Sequence, residues 1–539
     1  MSTNSSLNLS TFPPDALLCI FSYVCVRPEF NNIEDDSDRR PAAMKLDCIS
    51  ATSPEIVLSS VCSLWRELML STPTFWTVIR VGTPGSICDV DEGFEPAPNA
   101  KTLFKQKELL DLWVKRSNGL PLSFVVRLER EAGNLKDRIA ASTLVKAVQR
   151  QFERWEFLYA RCHAFLMSML SSLVFSHRSS LRQVDLTQTG PTHHPILSIW
   201  PILDPVLTPN RVASTALAAI KLRGGLVLEM ASNRSIGTNL TCFTYHQPPP
   251  HLESSPMTFN DAFLILASCK SLSSFDFVAS NNVLFINPTP DSLDWGTKGH
   301  VLLLGLKHLS LSSTRNLEFG PLLSILAAPD LEELSLAGPF YSELMAEGNS
   351  MNFDSRKDWN HVETFLKRTP ASKLVKLYLE GIPLSVESVE EALRVSPLVE
   401  DFKLDGRMLD SHVVSRLTWI PGGEKGVNLL PKLKYFIVVG CSTTYVSVAE
   451  LVHMVYSRAR YASLLPIVKD DNWVYDEQYR LWEEDNGPET IQMAYIADTN
   501  DDLDTRGSEK MQQLFFGNPI IQHLINEECL GVCVDAINS

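Results

Sequence analysis

The chain has 539 residues, of which 45% are hydrophobic and 21% charged, and this composition is typical of folded proteins rather than disordered ones. The formal net charge is -15, and the stretch from Lys469 to Lys510 supplies -9 of it through 13 acidic and 4 basic residues. No local stripe of Lys and Arg is present to neutralise a polyanion, so we expect no nucleic-acid partner.

The 11 cysteines are scattered along the chain without a CxxC pair, which favours a reduced, intracellular protein, cytoplasmic or nuclear. The apolar stretch from Ala16 to Val26 follows no Lys or Arg and precedes no small-residue cleavage pattern, so we do not expect a signal peptide. No apolar run is long enough to span a bilayer, and we expect no membrane partner.

The first predicted element is an amphipathic helix that begins at Pro13, because the first helical turn tolerates proline. Asp15 would lie near the positive end of the helix dipole. Four apolar residues follow at the spacing of one helix face: Leu17, Ile20, Phe21 and Val24. The polar stretch from about 27 to 53 is typical of a surface loop.

A second helix is predicted from Glu55 to Met69, and Ser71, Thr72 and Pro73 would end it. Its apolar side would carry Val57, Leu58, Val61, Cys62, Trp65 and Leu68. Two apolar helix faces this close together need a partner surface, which could be either a protein or the following domain of the same chain.

The order of these residues resembles the F-box of a large class of fungal F-box proteins with irregular leucine-rich repeats. Phe12 stands where that class usually has Leu, Asp15 where it has Glu, and the loop between the helices is longer. The matching segments are Phe12-Pro13-x-Asp15, Ile20-Phe21-Ser22-Tyr23-Val24, Val61-Cys62-x-x-Trp65-Arg66-x-Leu68 and Ser71-Thr72-Pro73-Thr74-Phe75-Trp76.

The resemblance implies that the two helices bind the Skp-type adaptor of a cullin-based ubiquitin ligase and that the rest of the chain selects a protein substrate. It places nine residues in the adaptor interface or in the small core beneath it: Pro13, Leu17, Ile20, Phe21, Val24, Val61, Cys62, Trp65 and Leu68. Sequence does not divide these two roles. The alternative is that both helices only cap the next domain.

From residue 181 onward a frame of the form apolar-x-x-apolar-x-apolar recurs nine times and predicts short strands. Five frames are followed by a glycine, at 224, 338, 381, 406 and 440, which suits a tight strand exit. Helical patterns precede three frames, at 261–267, 321–327 and 388–395. The frames are Leu181/Val184/Leu186, Leu217/Ile220/Leu222, Leu240/Phe243/Tyr245, Leu272/Phe275/Phe277, Leu306/Leu309/Leu311, Leu331/Leu334/Leu336, Leu374/Leu377/Leu379, Val399/Phe402/Leu404 and Leu433/Phe436/Val438.

The predicted fold class is therefore α/β, an N-terminal helical module followed by a leucine-rich-repeat-like solenoid of short parallel strands and helices. The alternative is a compact α/β sandwich with a parallel sheet. The segment from Leu110 to Leu122 also resembles the linker of the same F-box class. We expect four parts: the F-box-like module at 1–80, a linker with the first repeat-like units at 81–160, irregular repeats at 161–460, and an acidic segment at 461–539.

No catalytic residues, metal ligands or cofactors are predicted. GxSxG, P-loop, HExxH and kinase motifs are absent from the sequence. His193, His194, His246 and His251 lack a third ligand at zinc-site spacing, and Cys529 and Cys533 are expected to be packed thiols. The aromatic residues of the acidic segment could contact a basic partner, although a solvated, partly disordered tail fits its composition better.

The sequence thus predicts a non-enzymatic substrate receptor of a Skp–cullin–F-box ligase. A leucine-rich scaffold that never recruits a cullin is the second hypothesis, and a hydrolase is a remote third. In a solenoid the strand positions between frame residues face the binding surface. Tyr378, Lys403 and Ile437 are the predicted substrate-binding residues, since aromatic and apolar contacts dominate binding hot spots.

Overall fold

The computed structural model divides the chain into two units, Met1–Met257 and Thr258–Ser539. The structure describes residues 13–25, 45–46, 48–50, 53–83, 85–86, 99–129, 134–174, 180–189, 198–199, 217–228, 239–246, 257–279, 301–313, 319–338, 360–369, 373–382, 384–405, 409–420, 428–439, 446, 448–458, 467–469, 472–474, 493–497 and 531–533. Phe12, His193, His194, His251, Gly406, Gly440, Cys529 and most of the acidic segment lie outside these residues.

Three short helices open the first unit: α1 (Pro14–Val24), α2 (Pro54–Val61) and α3 (Ser63–Ser71), followed by a 3-10 turn at Pro73–Trp76. The single helix predicted over 55–69 is wrong, because Cys62 is extended at φ -155° and ψ 173° and separates α2 from α3. Part of the predicted 27–53 loop is a strand, since residues 45–46 pair antiparallel with 85–86.

Six parallel strands of the first unit lie side by side in chain order. They are β1 (Val78–Gly82), β2 (Leu122–Leu128), β3 (Trp155–His163), β4 (Gln183–Thr189), β5 (Ala219–Arg223) and β6 (Cys242–His246). The helices that accompany them are α4 (Ala100–Arg116), α5 (Leu135–Gln149) and α6 (Ala164–Val174). Residues 198–199 and 227–228 form a separate short parallel pair.

Eight parallel strands of the second unit also follow chain order. They are β7 (Ser274–Ala279), β8 (His308–Ser313), β9 (Glu333–Ala337), β10 (Lys376–Glu380), β11 (Asp401–Asp405), β12 (Tyr435–Val439), β13 (Met493–Ala497) and β14 (Gly531–Cys533). Two further short pairs join residues 301–302 to 326–327 and 467–469 to 472–474.

The helices of this unit are α7 (Phe259–Ser268), α8 (Phe319–Leu323), α9 (His361–Arg368), α10 (Val386–Arg394), α11 (Ser411–Leu417) and α12 (Val448–Ser457). Local capping explains where several begin. Thr258 and Asp261 form a capping box at α7, Ser385 accepts a hydrogen bond from the Ser388 amide at α10, and Asp410 accepts one from Val413 at α11. The helical patterns predicted at 261–267 and 388–395 are confirmed within a few residues, whereas that at 321–327 is only half helix.

All nine predicted frames form strands, and every apolar frame residue is buried. Within a strand such as β10, burial alternates, so Leu377 and Leu379 face the core while the residues between them are half-exposed. Strand order that follows chain order throughout each unit argues against a doubly wound sandwich, in which the order reverses. The architecture is a mixed α/β fold with extensive parallel pairing, compatible with a leucine-rich-repeat-like solenoid.

Two details differ from the predicted layout. The parallel pairing begins at β1, within the first 82 residues, and continues beyond residue 460 through β13 and β14, so it is longer than the repeat region predicted at 161–460. Gly224 and Gly381 have the expected positive φ, at +92° and +58°, but Gly338 does not. The first three strands were not predicted, although β1 and β3 carry the apolar frame as Trp76/Ile79/Val81 and Trp155/Leu158/Ala160; β2 has only Phe124 and Val126 of it.

Candidate interaction surfaces

The N-terminal helices have a small aromatic core. Leu17 and Phe21 of α1 are fully buried. The Phe21 ring lies 4.9 Å from the Trp65 ring of α3 and 6.4 Å from that of Phe75, both in edge-on geometry. Because Trp65 contacts a buried ring and is itself only half-buried, it contributes to the stability of this module whatever else it binds.

Other apolar residues of the same helices are exposed to solvent. On α1, Ile20 and Val24 are 43% and 44% exposed, and on α2 Val61 is 55% exposed. Of the predicted adaptor residues, Pro13 and Cys62 are also exposed, Trp65 and Leu68 are half-buried, and Leu17 and Phe21 belong to the core. The structure therefore separates core from surface within a set that the sequence left undivided.

Three exposed apolar residues in the same region were not among the predicted adaptor residues: Tyr23, Val57 and Leu70. Tyr23 is 82% exposed and stands next to Val24. Six of the fifteen exposed large hydrophobic residues in the described part of the chain lie between Ile20 and Leu70. Such crowding of exposed apolar area is typical of an interaction site, whereas single exposed residues are ordinary.

The predicted linker joins this helical module to the first strands. Trp113 of α4 packs edge-on against Trp76 at 4.9 Å, and Arg116 lies 4.3 Å from the centre of the Trp76 ring. The indole N–H of Trp76 donates to the Met69 carbonyl oxygen at 2.8 Å. The aromatic and basic residues of the linker therefore have a packing role in this chain.

Turn geometry after α4 is fixed by a single arginine. Arg154 donates to the Leu120 carbonyl oxygen at 2.7 Å and to the Ser117 hydroxyl at 2.6 Å. Between them, Asn118 and Gly119 adopt positive φ of 47° and 79°. This tie orients the chain as it enters β2.

Tyr378, Lys403 and Ile437, the predicted substrate-binding residues, lie side by side. They occupy equivalent positions on β10, β11 and β12, with Tyr378 paired in register to Lys403 and Lys403 to Ile437. All three are half-exposed on the sheet face opposite the buried frame residues. Their register and exposure are those the frame predicts, and their binding role remains a prediction.

Charges on this face largely compensate one another. The Lys403 ammonium lies 2.8 Å from the Glu380 carboxylate, and the Tyr378 hydroxyl donates to Asp401 at 2.6 Å. Two residues along the strands on the same face, Glu333 contacts His308 at 3.4 Å and Lys376 at 3.3 Å. A ligand that binds Lys403 through a carboxylate must therefore compete with Glu380.

Two carboxyl groups on this face have shifted pKa values of opposite sign. The hydrogen bond from His308, assisted by Lys376, lowers the pKa of Glu333 below its usual value. Burial raises the pKa of Asp401, and the hydrogen bond from Tyr378 opposes that shift. A face with paired charges and one tyrosine fits a mixed polar and apolar protein surface better than a polyanion.

In the described part of the chain, few side chains are arranged in a way that could bind a metal ion or provide a reactive nucleophile. No group of three or more His, Cys, Asp or Glu side chains there is arranged to hold a metal ion. Burial raises the pKa values of the Cys162 and Cys269 thiols to about 12, which keeps both thiols protonated near neutral pH. None of the described helices is both long and apolar enough to cross a membrane.

One serine–histidine contact occurs where α8 meets α9. The Ser324 hydroxyl lies 2.5 Å from His361 Nδ1, and burial lowers the pKa of His361. Arg368, at the other end of α9, donates to the Leu323 carbonyl oxygen at 2.8 Å. Because these contacts join the end of α8 to both ends of α9, we assign them a packing role.

Comparison with known proteins adds little to this description. No family model matches the chain, and no curated protein matches it. Among solved structures, a chain in the "Crystal structure of TLR13-ssRNA13 complex" is similar over 69% of this chain and 42% of that one, with 11% identity and a TM-score of 0.33. The strand order and pairing therefore define the class of protein: it is a mixed α/β repeat protein whose parallel strands follow one another in chain order.

Proposed function

We propose that the chain is a substrate receptor of a Skp–cullin–F-box ubiquitin ligase, with no chemistry of its own. The N-terminal helices would bind a Skp-type adaptor, and through it a cullin, while the repeat domain holds a protein substrate. The mechanism is positional, because a tethered substrate gains a high local concentration near the ubiquitin-carrying enzyme.

The observation that carries this proposal is that the apolar face of α1 is only partly buried. Leu17 and Phe21 are buried, yet Ile20 and Val24 on the same short helix remain exposed. A helix that only capped the following domain would be expected to bury its whole apolar face. The exposed part of this face, together with the F-box-like order of residues around it, supports a docking surface for another protein.

Co-purification tests the proposal directly. We expect the full chain to retain a Skp-type adaptor and a cullin, and the double variant Ile20→Ser/Val61→Ser to lose both with an unchanged melting temperature. These side chains are exposed, so their replacement leaves the Phe21 core intact. The matched control is Phe104→Ser/Phe165→Ser, which removes exposed apolar side chains from α4 and α6 and should bind normally.

The other outcomes discriminate between hypotheses. Adaptor without cullin would favour the leucine-rich scaffold, and neither partner would contradict both docking hypotheses. Retention by the Ile20→Ser/Val61→Ser variant would place the interface elsewhere. Trp65 is unsuitable as the test position, since its loss would also disturb the contact with Phe21.

For the substrate we propose the sheet face around Tyr378, Lys403 and Ile437. A photo-crosslinking residue at Tyr378 or Lys403 should label a captured substrate, whereas one at Glu391 on α10 should not. Glu391 is partly exposed and lies on a helix rather than on the sheet, so it is a matched control. Labelling confined to the Glu391 probe would contradict the assignment.

A further inference from the structure

The strands of the first unit bring basic residues together that are far apart in the sequence. Register pairs Gly82 with Arg127, Arg127 with Arg161, Arg161 with Thr187, Thr187 with Arg223 and Arg223 with His246. Arg127, Arg161, Arg223 and His246 therefore form one row across the sheet, here called the basic row. Arg80 and Lys221 lie in the adjacent row on the same face.

This face carries excess positive charge. The two rows contain five Lys and Arg residues and a single carboxylate, Asp185. Glu129, just beyond β2, adds a second carboxylate and is held by Arg127 at 2.8 Å and Arg161 at 3.4 Å. No ion pair of Lys221 or Arg223 is present among the described residues, but both cations act on Asp185: burial raises the pKa of this carboxyl group, and Arg223 and Lys221 oppose that shift.

Buried polar atoms without partners lie in the same place. Asp185 is 8% exposed, and its Oδ1 atom has no hydrogen-bond donor in the described part of the chain. The Arg223 Nε atom and the Thr187 hydroxyl are likewise buried and unpartnered there. Burying charged and polar groups without hydrogen-bond partners costs free energy. A group of such atoms therefore indicates a binding site in which a ligand supplies the missing hydrogen bonds.

We propose that this face binds a carboxylate-rich peptide segment of a partner protein. Carboxylate is the anion that the basic row already holds, since Arg127 and Arg161 share Glu129. The row crosses five strands, and at about 4.8 Å per strand it is long enough to meet several acidic side chains of an extended segment. Lys221 and Arg223 are cations of this face that form no ion pair among the described residues, so they should dominate binding.

The contrast with the second unit strengthens the assignment. There the lysines of the sheet face are paired, Lys376 with Glu333 and Lys403 with Glu380. Among the described residues, one sheet face therefore has excess positive charge and the other has paired charges. An acidic segment should select the first.

Fluorescence anisotropy of a labelled deca-glutamate peptide with the full chain tests this proposal. We expect saturable binding that weakens as salt rises from about 50 to about 300 mM, because added ions screen exposed charges. Lys221→Gln/Arg223→Gln should weaken binding about tenfold or more. Lys307→Gln/Lys373→Gln removes the same charge from the second unit, where both lysines pair with carboxylates, and should bind like the unchanged chain.

Equal binding by the Lys221→Gln/Arg223→Gln and Lys307→Gln/Lys373→Gln variants would overturn the proposal, as would tighter binding of a single-stranded oligonucleotide than of the peptide. If the first variant melts at a lower temperature, Arg223→Lys decides instead, because it keeps the charge but loses the planar fork and should give intermediate affinity. The assay contains no adaptor, so its failure leaves the proposed ligase role unaffected, and the converse also holds.

Discussion

Gly82, the last residue of β1, occupies a position that only glycine fits. Its φ is +109°, and a Cβ atom built there would lie 1.9 Å from the Arg127 carbonyl oxygen. The buried Gln106 side chain of α4 holds the same residue from both sides. Its Oε1 accepts from the Gly82 N–H at 2.9 Å, and its Nε2 donates to the Gly82 carbonyl oxygen at 2.9 Å.

We predict that Gly82→Ala lowers the free energy of unfolding by roughly 2 kcal/mol or more, because backbone strain and a backbone clash act together. Gly119→Ala is the matched control. Gly119 also has positive φ, at +79°, but a Cβ atom there would meet nothing within 4 Å beyond its chain neighbours, so strain alone should cost about 1 kcal/mol. Equal losses in chemical denaturation would show that the contact with Arg127 relaxes.

Glu390 joins two neighbouring helices of the second unit. From α10 it contacts Arg416 of α11 at 2.8 Å and His412 at 3.2 Å, and it also pairs with Arg394 on its own helix. The hydrogen bond from Arg416, together with the other cations, lowers the pKa of Glu390. The ionised carboxylate is therefore favoured by folding.

This shift predicts a pH dependence of stability. A carboxylate with a lowered folded-state pKa contributes fully above its unfolded pKa, and that contribution disappears as pH falls through the folded value. Thermal melting of the unchanged chain and of Glu390→Gln should therefore differ most near pH 7 and converge in acid. A difference that is independent of pH would indicate lost packing rather than lost charge.

Contacts in the second unit connect each strand with its chain neighbours. β11 pairs with β10 on one side and β12 on the other, and the fully buried Phe402 packs 6.1 Å from Phe436 across the second of these pairs. Stability in such stacks is approximately a sum of local and nearest-neighbour contributions. A defect in one strand should consequently be felt most by the adjacent strands.

We predict that Phe402→Ala costs about 3–5 kcal/mol and reduces amide hydrogen-exchange protection most in β10, β11 and β12. Protection in β7 should change less, since three strands separate it from β11. Lys403→Ala on the exposed face is the control and should leave the exchange pattern nearly unchanged. Uniform loss of protection from β7 to β12 would mean that the stack unfolds as one cooperative block.

The repeat strands could be predicted because burial alternates along each strand and leaves a frame such as Leu377 and Leu379 in the sequence. β1 and β3 leave the same frame, as Trp76/Ile79/Val81 and Trp155/Leu158/Ala160, but these two strands were overlooked. β2 could not be predicted in this way, since it is buried at nearly every position and so lacks an alternating pattern. The break between α2 and α3 at Cys62 was also missed. Both helices continue the same apolar spacing, and no Gly or Pro marks the break.

The candidate surfaces were partly predictable. Helical spacing grouped Leu17, Ile20, Phe21 and Val24 correctly on one helix, but only tertiary packing decided which pair became buried. The basic row could not be recognised in the sequence as a run of basic residues, because Arg127, Arg161 and Arg223 are more than 30 residues apart. Their proximity depends on strand register, which the sequence defines only through the buried side of each strand.

The ladder of parallel strands also sets a spacing rule for anything that lies across it. Neighbouring strands place equivalent side chains about 4.8 Å apart, whereas alternate side chains of an extended peptide are about 6.7 Å apart. Because these two spacings differ, side chains of the peptide and of the strands line up again only after roughly seven strands. A peptide segment lying across the strands can therefore place its side chains well against one or two strands and poorly against the others. Selectivity for a ligand should therefore depend on the few ligand side chains that line up with a strand. Shifting the ligand by one residue should change which strands those side chains contact.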